Sequence, residues 1–357
     1  MSSGLPTVRA HVPLRLGLAG GGTDLSPYCD EHGGAVLNTT INRYAFASIE
    51  PSDDGQVHFL APDMDIEEVF PPAFGAMEGA RLALHAAVMR RMVRQFGDGR
   101  LLPMRVTSHV DAPPGSGLGS SSALVVALVE AFTALLSAPL GPYDVAHLAY
   151  EIERVELRLA GGKQDQYSAT FGGTNYMEFH ANDRVIVNPL RVPRGVVNEL
   201  ETSMVVCFSG VSRRSEAIIS EQQKAMTSPV GTVPDGDGSN RDGVMDSLHQ
   251  MKRDAVEMKE ALLRGQIGRM ATILNRSWEA KKRTASGIST GRIEELHELA
   301  FANGAIGGKV SGAGGGGFMM FIVPPARHIQ VVRALNAAGG DAGGVHFTTG
   351  GAESWFV

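Results

Sequence analysis

Residues 113–132 read PPGSGLGSSSALVVALVEAF: two prolines, three glycines at alternating positions, three consecutive serines, then an apolar stretch suited to a buried helix. Ahead of it, MRVTSHV (104–110) has strand character, so the order is strand, glycine loop, helix. A helix N-terminus leaves N–H groups unpaired and carries the positive end of the helix dipole. Glycines in front of it let backbone amides approach a phosphate closely. Neither common nucleotide loop fits. GxxxxGK[ST] needs a lysine that is missing here, and GxGxxG differs from a GxGxG followed by serines. A tight structural turn accounts for a glycine loop about as well. The serines tilt the balance, because a helix cap needs one hydroxyl, whereas phosphate and magnesium can use several.

The rest of the chain agrees with a small anionic ligand. At 357 residues there is room for two domains, and 43% hydrophobic against 20% charged residues describes a globular chain with a substantial core. A formal charge of −6 provides no basic field for nucleic acid or an anionic membrane, so any anion must be met by local cations. Cys29 and Cys207 are too few for a disulfide framework and lie in no zinc spacing, which fits a reducing cytoplasm. No secretory leader or spanning segment is expected: the longest nearly apolar run, 123–136, is short and contains Glu130. The 44 glycines are concentrated in runs at 20–22, 115–119 and 312–317, each flanked by apolar segments rather than linker-like sequence.

Residues 7–50 read as β-rich around the first glycine run, 81–96 as a helix, 120–136 as a helix whose leading serines can cap it, and 143–159 as another helix. Composition shifts at Pro189–Pro193, the approach to a domain boundary, after which SMVVCFSG reads as a strand. TSPVGTVPDGDGSNRD (227–242) is expected to be a long mobile loop. Helices follow at about 246–265, 267–285 and 290–303. Then come strand–glycine–strand in GGKVSGAGGGGFMMFIV, a helix at about 327–338 and a last strand near Val345, so the C-terminal half reads as α+β.

PPGSGLGSSSA resembles the second motif of the GHMP kinases. PLRLGLAGGGTDL (13–25) and KVSGAGGGGFMMFIV (309–323) resemble the family's first and third motifs, in the same order over nearly the whole chain. The resemblance implies an α+β, two-domain GHMP kinase fold. Residues 1–195 would form an N-terminal ATP-binding domain of ribosomal-protein-like α/β type with a left-handed crossover, and 196–357 a ferredoxin-like C-terminal domain, with the site in the cleft between. It implies ATP and Mg2+ as cofactors. Pro114, Gly115, Ser116, Gly117, Leu118, Gly119, Ser120, Ser121 and Ser122 would surround the ATP phosphates, with Ser121 and Glu153 on magnesium and Ser120 or Ser122 as alternatives to Ser121. Asp165, ahead of Gly172-Gly173, corresponds to the family's catalytic aspartate, as general base or as the group that orients the acceptor hydroxyl. Arg15 would stabilise charge on the acceptor oxygen or the moving phosphoryl group. Glu151 and Glu156 are read as a solvated helix face.

On the acceptor side the resemblance places Arg15, Gly22, Thr23, Asp24, Asp165, Gly173, Gly312 and Gly314. Asp24 is either a ligand to sugar hydroxyls or a cap after Thr23. Galactokinases carry Glu-His where this chain has Gly21-Gly22, which argues against galactose. AGGGTDL, AGGKQDQYSATFGG and SWEAKKR are most similar to the bacterial heptose kinase branch, which phosphorylates the anomeric hydroxyl of D-glycero-D-manno-heptose 7-phosphate; fucose kinases share part of that pattern. An acceptor phosphate would need cations. Arg213 and Arg214 are favoured, with Lys163, Lys281 and Lys282 as further candidates and Lys309 able to face either ligand. The rivals are a kinase of another sugar and a non-catalytic sugar or nucleotide sensor on the same fold. The expected partner is a small-molecule sugar or sugar phosphate, in a cytoplasmic protein without nucleic acid or membrane, with a homodimer as the candidate assembly.

Overall fold

The computed structural model describes residues 5–212, 215–227 and 241–357. In chain order these form β1 (Val8–Ala19), α1 (Tyr28–His32), β2 (Gly34–Pro51), β3 (Val57–Ala61), β4 (Ile66–Phe70), α2 (Ala83–Phe96), β5 (Met104–Val110), α3 (Ser120–Leu135), α4 (Pro142–Tyr150), α5 (Gln164–Phe171), β6 (Thr174–Phe179), β7 (Val185–Pro189) and α6 (Arg194–Ser203). They continue as β8 (Met204–Phe208), α7 (Ser215–Thr227), α8 (Arg241–Leu263), α9 (Ile267–Lys282), α10 (Gly291–Ala302), β9 (Gly307–Val310), β10 (Phe318–Ile322), α11 (His328–Ala337), β11 (Asp341–Gly343) and β12 (Glu353–Phe356).

The long antiparallel pair of β1 and β2 is the spine. Early in β1, buried Val8, Ala10 and Val12 alternate with more exposed Arg9 and His11, the pattern of a sheet with one open face. From Val12 to Ala19 every residue is buried, because α3, α5, α8 and α9 pack against the strand. β2 changes partner along its length: Gly34–Thr39 pairs with β6 and Ala45–Pro51 with β5. The first sheet therefore runs β12-β1-β2-β5-β3-β4, with β6 and β7 joined at the early half of β2. The second sheet runs β11-β8-β10-β9, all antiparallel. Numbered within itself this order is 4-1-3-2, that of a ferredoxin-like unit. The mixed two-sheet architecture is the one the motifs imply.

α3 is apolar through its middle because it is buried there: Val125 to Val129 are fully enclosed. Truncating Leu128 to alanine there would cost about 2–5 kcal/mol. This rigidity aims the helix N-terminus.

The structure departs from the sequence expectations in several places. The expected helix at 143–159 is α4 followed by a turn of π-helix at Glu151–Glu156, where the wider ladder shifts the side-chain register. No serine caps α3: its N-cap is Gly119 at φ 76°, with no side-chain cap bond. The last strand is not at Val345. β11 precedes it, and β12 returns to the first sheet beside β1. The loop expected at 227–242 lies, for 228–240, outside the described residues; Thr227 closes α7 and Arg241 opens α8. Among the described residues no helix is long and apolar enough to cross a membrane.

Candidate active site

The glycine loop and the start of α3 line a cavity of about 400 Å3. Gly117 and Gly119 both adopt left-handed φ, 79° and 76°, which glycine takes without strain. A Cβ on Gly117 would also lie 2.4 Å from the Ser311 carbonyl, so the loop presses directly on the third glycine loop. The first intrahelical bond of α3 runs from the Ala123 N–H to the Gly119 carbonyl. The N–H groups of Ser120, Ser121 and Ser122 precede it and stand at the positive end of a 16-residue helix, an arrangement suited to polyphosphate.

The serine hydroxyls do something other than cap. Ser121 Oγ donates to Glu153 Oε1 and Ser122 Oγ to Glu153 Oε2, both at 2.7 Å. The π-turn delivers Glu153 to them, fully buried. Gln166 Nε2 donates to Oε2 at 2.7 Å, and Arg154 lies 3.4 Å from Oε1. This is a hard-oxygen donor set, hydroxyl and carboxylate, of the kind Mg2+ takes alongside phosphate oxygens. The chemistry of these residues therefore fits magnesium.

The first turn of α5 organises the other end. Successive helical residues point about 100° apart, and Gln164, Asp165 and Gln166 use this to reach three partners. Gln164 meets Asp24, Asp165 meets Arg15, and Gln166 meets Glu153 and Ser122. Arg15, buried on β1, donates through Nε and Nη2 to the same oxygen, Asp165 Oδ1, at 2.8 and 2.6 Å. Its Nη1 donates to the Gly117 carbonyl at 2.6 Å, tying the pair to the phosphate loop. Asp165 Oδ2 is left without a partner among the described residues. It lies 3.4 Å from the position a Gly119 Cβ would take.

Asp24 is a buried carboxylate held from two sides. Oδ1 accepts from the Gly22 N–H (3.0 Å) and Gln164 Nε2 (3.0 Å), and Oδ2 accepts from the Gln164 N–H (3.1 Å). Burial pushes its pKa up, opposed by the Gln164 backbone bond and reinforced by nearby Asp165. Gly162 has no room for a side chain, since a Cβ would lie 1.9 Å from Asp24 Oδ2.

Of the residues singled out from sequence, Arg15, Gly22, Asp24, Pro114, Gly115, Gly117, Gly119, Ser120, Ser121, Ser122, Glu153, Asp165, Lys281 and Gly312 line this one cleft. Ser116, Leu118, Thr23, Gly173 and Gly314 do not. Thr23 holds the first loop together, donating to the carbonyls of Gly20 and Ala35. Gly173 exchanges hydrogen bonds with Thr40. Gly314 packs on Ile288. Arg213 and Arg214 lie outside the described residues. Lys163 pairs with Asp183 at 2.6 Å, and Lys282 with Glu279 at 2.8 Å. Lys309 is buried and donates to the carbonyls of Gly17 and Leu18; burial and the charges of Lys281 and Arg15 drive its pKa well down. Glu151 and Glu156 form ion pairs with Arg91 on the surface.

Sequence reasoning missed Gln164, Gln166, Arg154 and Ser311. The alternation QDQ at 164–166 was a usable signal, since amides flanking a carboxylate on one turn can each hold a different acid.

The model described as GHMP kinases N terminal domain matches residues 82–173, and that described as GHMP kinases C terminal matches 258–341. A D-glycero-alpha-D-manno-heptose 7-phosphate kinase of Campylobacter jejuni is 41% identical over 353 residues, covering 99% of this chain and 100% of that one. A crystal structure of a D-glycero-D-manno-heptose 1-phosphate kinase from Bacteroides thetaiotaomicron aligns with a TM-score of 0.80 at 41% identity, covering 98% and 99% of the two chains. Lactococcus lactis galactokinase complexed with galactose aligns with a TM-score of 0.75 over 97% of this chain and 95% of that one; at 16% identity it shares the fold.

Proposed function

The chain belongs to the GHMP kinase family, whose members use ATP, and on that premise we propose that it is a sugar 1-kinase acting on D-glycero-D-manno-heptose 7-phosphate to give the 1,7-bisphosphate. The full-length 41% identity to the Campylobacter jejuni enzyme supports this acceptor. One observation carries the chemistry: Arg15 spends Nε and Nη2 on Asp165 Oδ1 and, among the described residues, leaves Oδ2 free beside the phosphate loop.

In this reading residues 1–195 are the ATP-binding domain and 196–357 the C-terminal domain. The ATP phosphates lie against residues 114–122. Asp165 Oδ2 accepts the proton of the anomeric hydroxyl or steers it. The hydroxyl oxygen bonds to the γ-phosphorus as the bond from that phosphorus to the β,γ-bridging oxygen breaks, and ADP leaves with the bonding electrons. Arg15 keeps the carboxylate oriented. Its remaining nitrogen fixes Gly117, so the base and the phosphate loop move as one unit. Asp24, clamped by Gln164, receives sugar hydroxyls. Ser121 and Glu153 would hold Mg2+, which when bound neutralises phosphate charge. The product is a glycosyl phosphate, the class of compound from which nucleotide-activated sugars are made.

The test is ADP release with Mg-ATP and a panel of heptose 7-phosphate, unphosphorylated heptose, L-fucose, mannose and galactose. Turnover confined to the heptose phosphate is expected; turnover of a neutral sugar alone would overturn the acceptor assignment.

A further inference from the structure

Two basic side chains converge on the carbonyls of the two facing glycine loops. Arg15 comes from β1 and donates to Gly117; Lys281 comes from the last turn of α9 and donates to the Gly312 carbonyl. The two loops touch, since a Cβ on Gly312 would lie 2.6 Å from the Gly117 Cα. Both cations line the cleft that holds Asp24 and Asp165.

Their neutralisation differs. Arg15 has Asp165 at 2.6 Å. Lys281 is 5% exposed, and among the described residues its ammonium has a backbone carbonyl but no carboxylate within ion-pair distance. Burying an ammonium with no counter-charge is costly, and such a site becomes favourable when a ligand supplies the anion. The charged groups acting on it are Arg15 on β1, Asp24 after β1, Asp165 on α5 and Lys309 on β9, and Glu153 and Glu216 line the same cleft. Burial first, then Arg15, push the Lys281 pKa down to about 8, against the pull of Asp24 and Asp165. The ammonium is therefore still mostly protonated at neutral pH. Its neighbour Lys282 turns outward to Glu279 and Glu294 and shares none of this.

We propose that Lys281 is a further catalytic residue: its ammonium binds the anionic oxygens of the phosphoryl group in transit and of the anomeric oxygen, from the α9 side, as Arg15 does from β1. It gives up no proton; it balances charge that grows at the reacting end. This role suits its position better than holding the acceptor's distal phosphate, because its charge neighbours are Arg15, Asp24 and Asp165, the groups at the reacting end of the acceptor, and its carbonyl belongs to the loop pressed against Gly117.

The inference rests on the kinase reading above, and its test separates the two. Lys281→Met and Lys281→Arg are assayed with heptose 7-phosphate and with the unphosphorylated heptose, alongside AMP-PNP affinity by calorimetry. In Lys281→Met, kcat is expected to fall about a hundredfold or more for every acceptor the wild type uses. Each KM should stay within about threefold. AMP-PNP affinity should be unchanged, and arginine should restore much of the loss. Wild-type kcat should decline as pH rises through about 8, and that limb should move upward in Lys281→Arg, which keeps its charge. A raised KM for the phosphorylated acceptor alone, with kcat kept, would assign Lys281 to the distal phosphate and overturn the proposal. So would an unchanged kcat in Lys281→Met, or a limb that stays in place in Lys281→Arg. If Lys281→Met fails to fold, the arginine variant and its pH profile decide. A wild type that phosphorylates no acceptor would remove the kinase reading and this proposal with it.

Discussion

Replacing Asp165 with asparagine changes one atom at the position the mechanism leans on most. The carboxylate presents Oδ1 to Arg15 Nε and Nη2 at 2.8 and 2.6 Å and leaves Oδ2 free. Asparagine can keep its oxygen toward Arg15 only by placing its amide nitrogen where Oδ2 was, so a donor meets the acceptor hydroxyl's proton where an acceptor is needed. Losing a positioned base or proton acceptor lowers kcat by about 10²–10⁴-fold, or ~3–5 kcal/mol in the barrier. The stability effect is smaller. Breaking a fully buried ion pair costs about 3–5 kcal/mol, but the Asp165 side chain is 20% exposed and Arg15 keeps the Gly117 carbonyl, so we expect ~1–2 kcal/mol. The assay is ADP release at saturating substrates, paired with AMP-PNP calorimetry and a thermal melt. The expected outcome is a collapse of kcat with nucleotide affinity intact. A kcat within about threefold of wild type would refute the assignment of Asp165.

Glu153→Gln should lose at least one charge-assisted bond from Ser121, Ser122 or Gln166, costing about 1.5–3 kcal/mol. It should also raise the Mg2+ concentration for half-maximal activity; a variant with wild-type melting and Mg2+ dependence would contradict the site. Gly312→Ala places a Cβ 2.6 Å from the Gly117 Cα at φ 71°, so the KM for ATP should rise and the melting temperature fall, and an unperturbed variant would mean the two loops are not in contact. His85 is buried, bonded to Ser108 at 2.8 Å, and burial lowers its pKa to about 4 from 6.5. The unfolded chain binds the extra proton between these values, so stability falls as pH drops from about 6.5 to 4, by up to ~3 kcal/mol. Urea denaturation across that window should show this slope flattened in His85→Gln; an equal slope would assign it to other groups.

Much of this was readable in the chain because the phosphate loop is local. Its glycines, its serines and the apolar helix behind it sit within twenty consecutive residues, and left-handed backbone at alternating positions leaves glycine at those positions. The acid–base half of the site is different. Arg15 and Asp165 are 150 residues apart, and Gln164 meets Asp24 across 140. No periodicity in either segment announces the pairing; only resemblance to known motifs located Asp165. In sequence the π-turn reads as ordinary helix, because the apolar spacing of 143–159 does not register the one-residue slip that turns Glu153 inward. β3, β4, β6, β7 and α6 are short and read as connections in sequence, and β12 is a strand because β1 offers it an edge, a fact absent from residues 353–356 themselves. Charge was the least legible. Lys163, Lys281 and Lys282 look alike in sequence, yet one neutralises Asp183, one points to surface glutamates and one is sealed in the cleft.

The central claim is tested most directly by phosphorus NMR of the protein with Mg-ATP and D-glycero-D-manno-heptose 7-phosphate. The account predicts a second sugar phosphorus signal, coupled to the anomeric proton, growing in step with ADP while the 7-phosphate signal persists. ATP consumed without a glycosyl phosphate, or an anomeric signal that forms only on a neutral sugar, would contradict it.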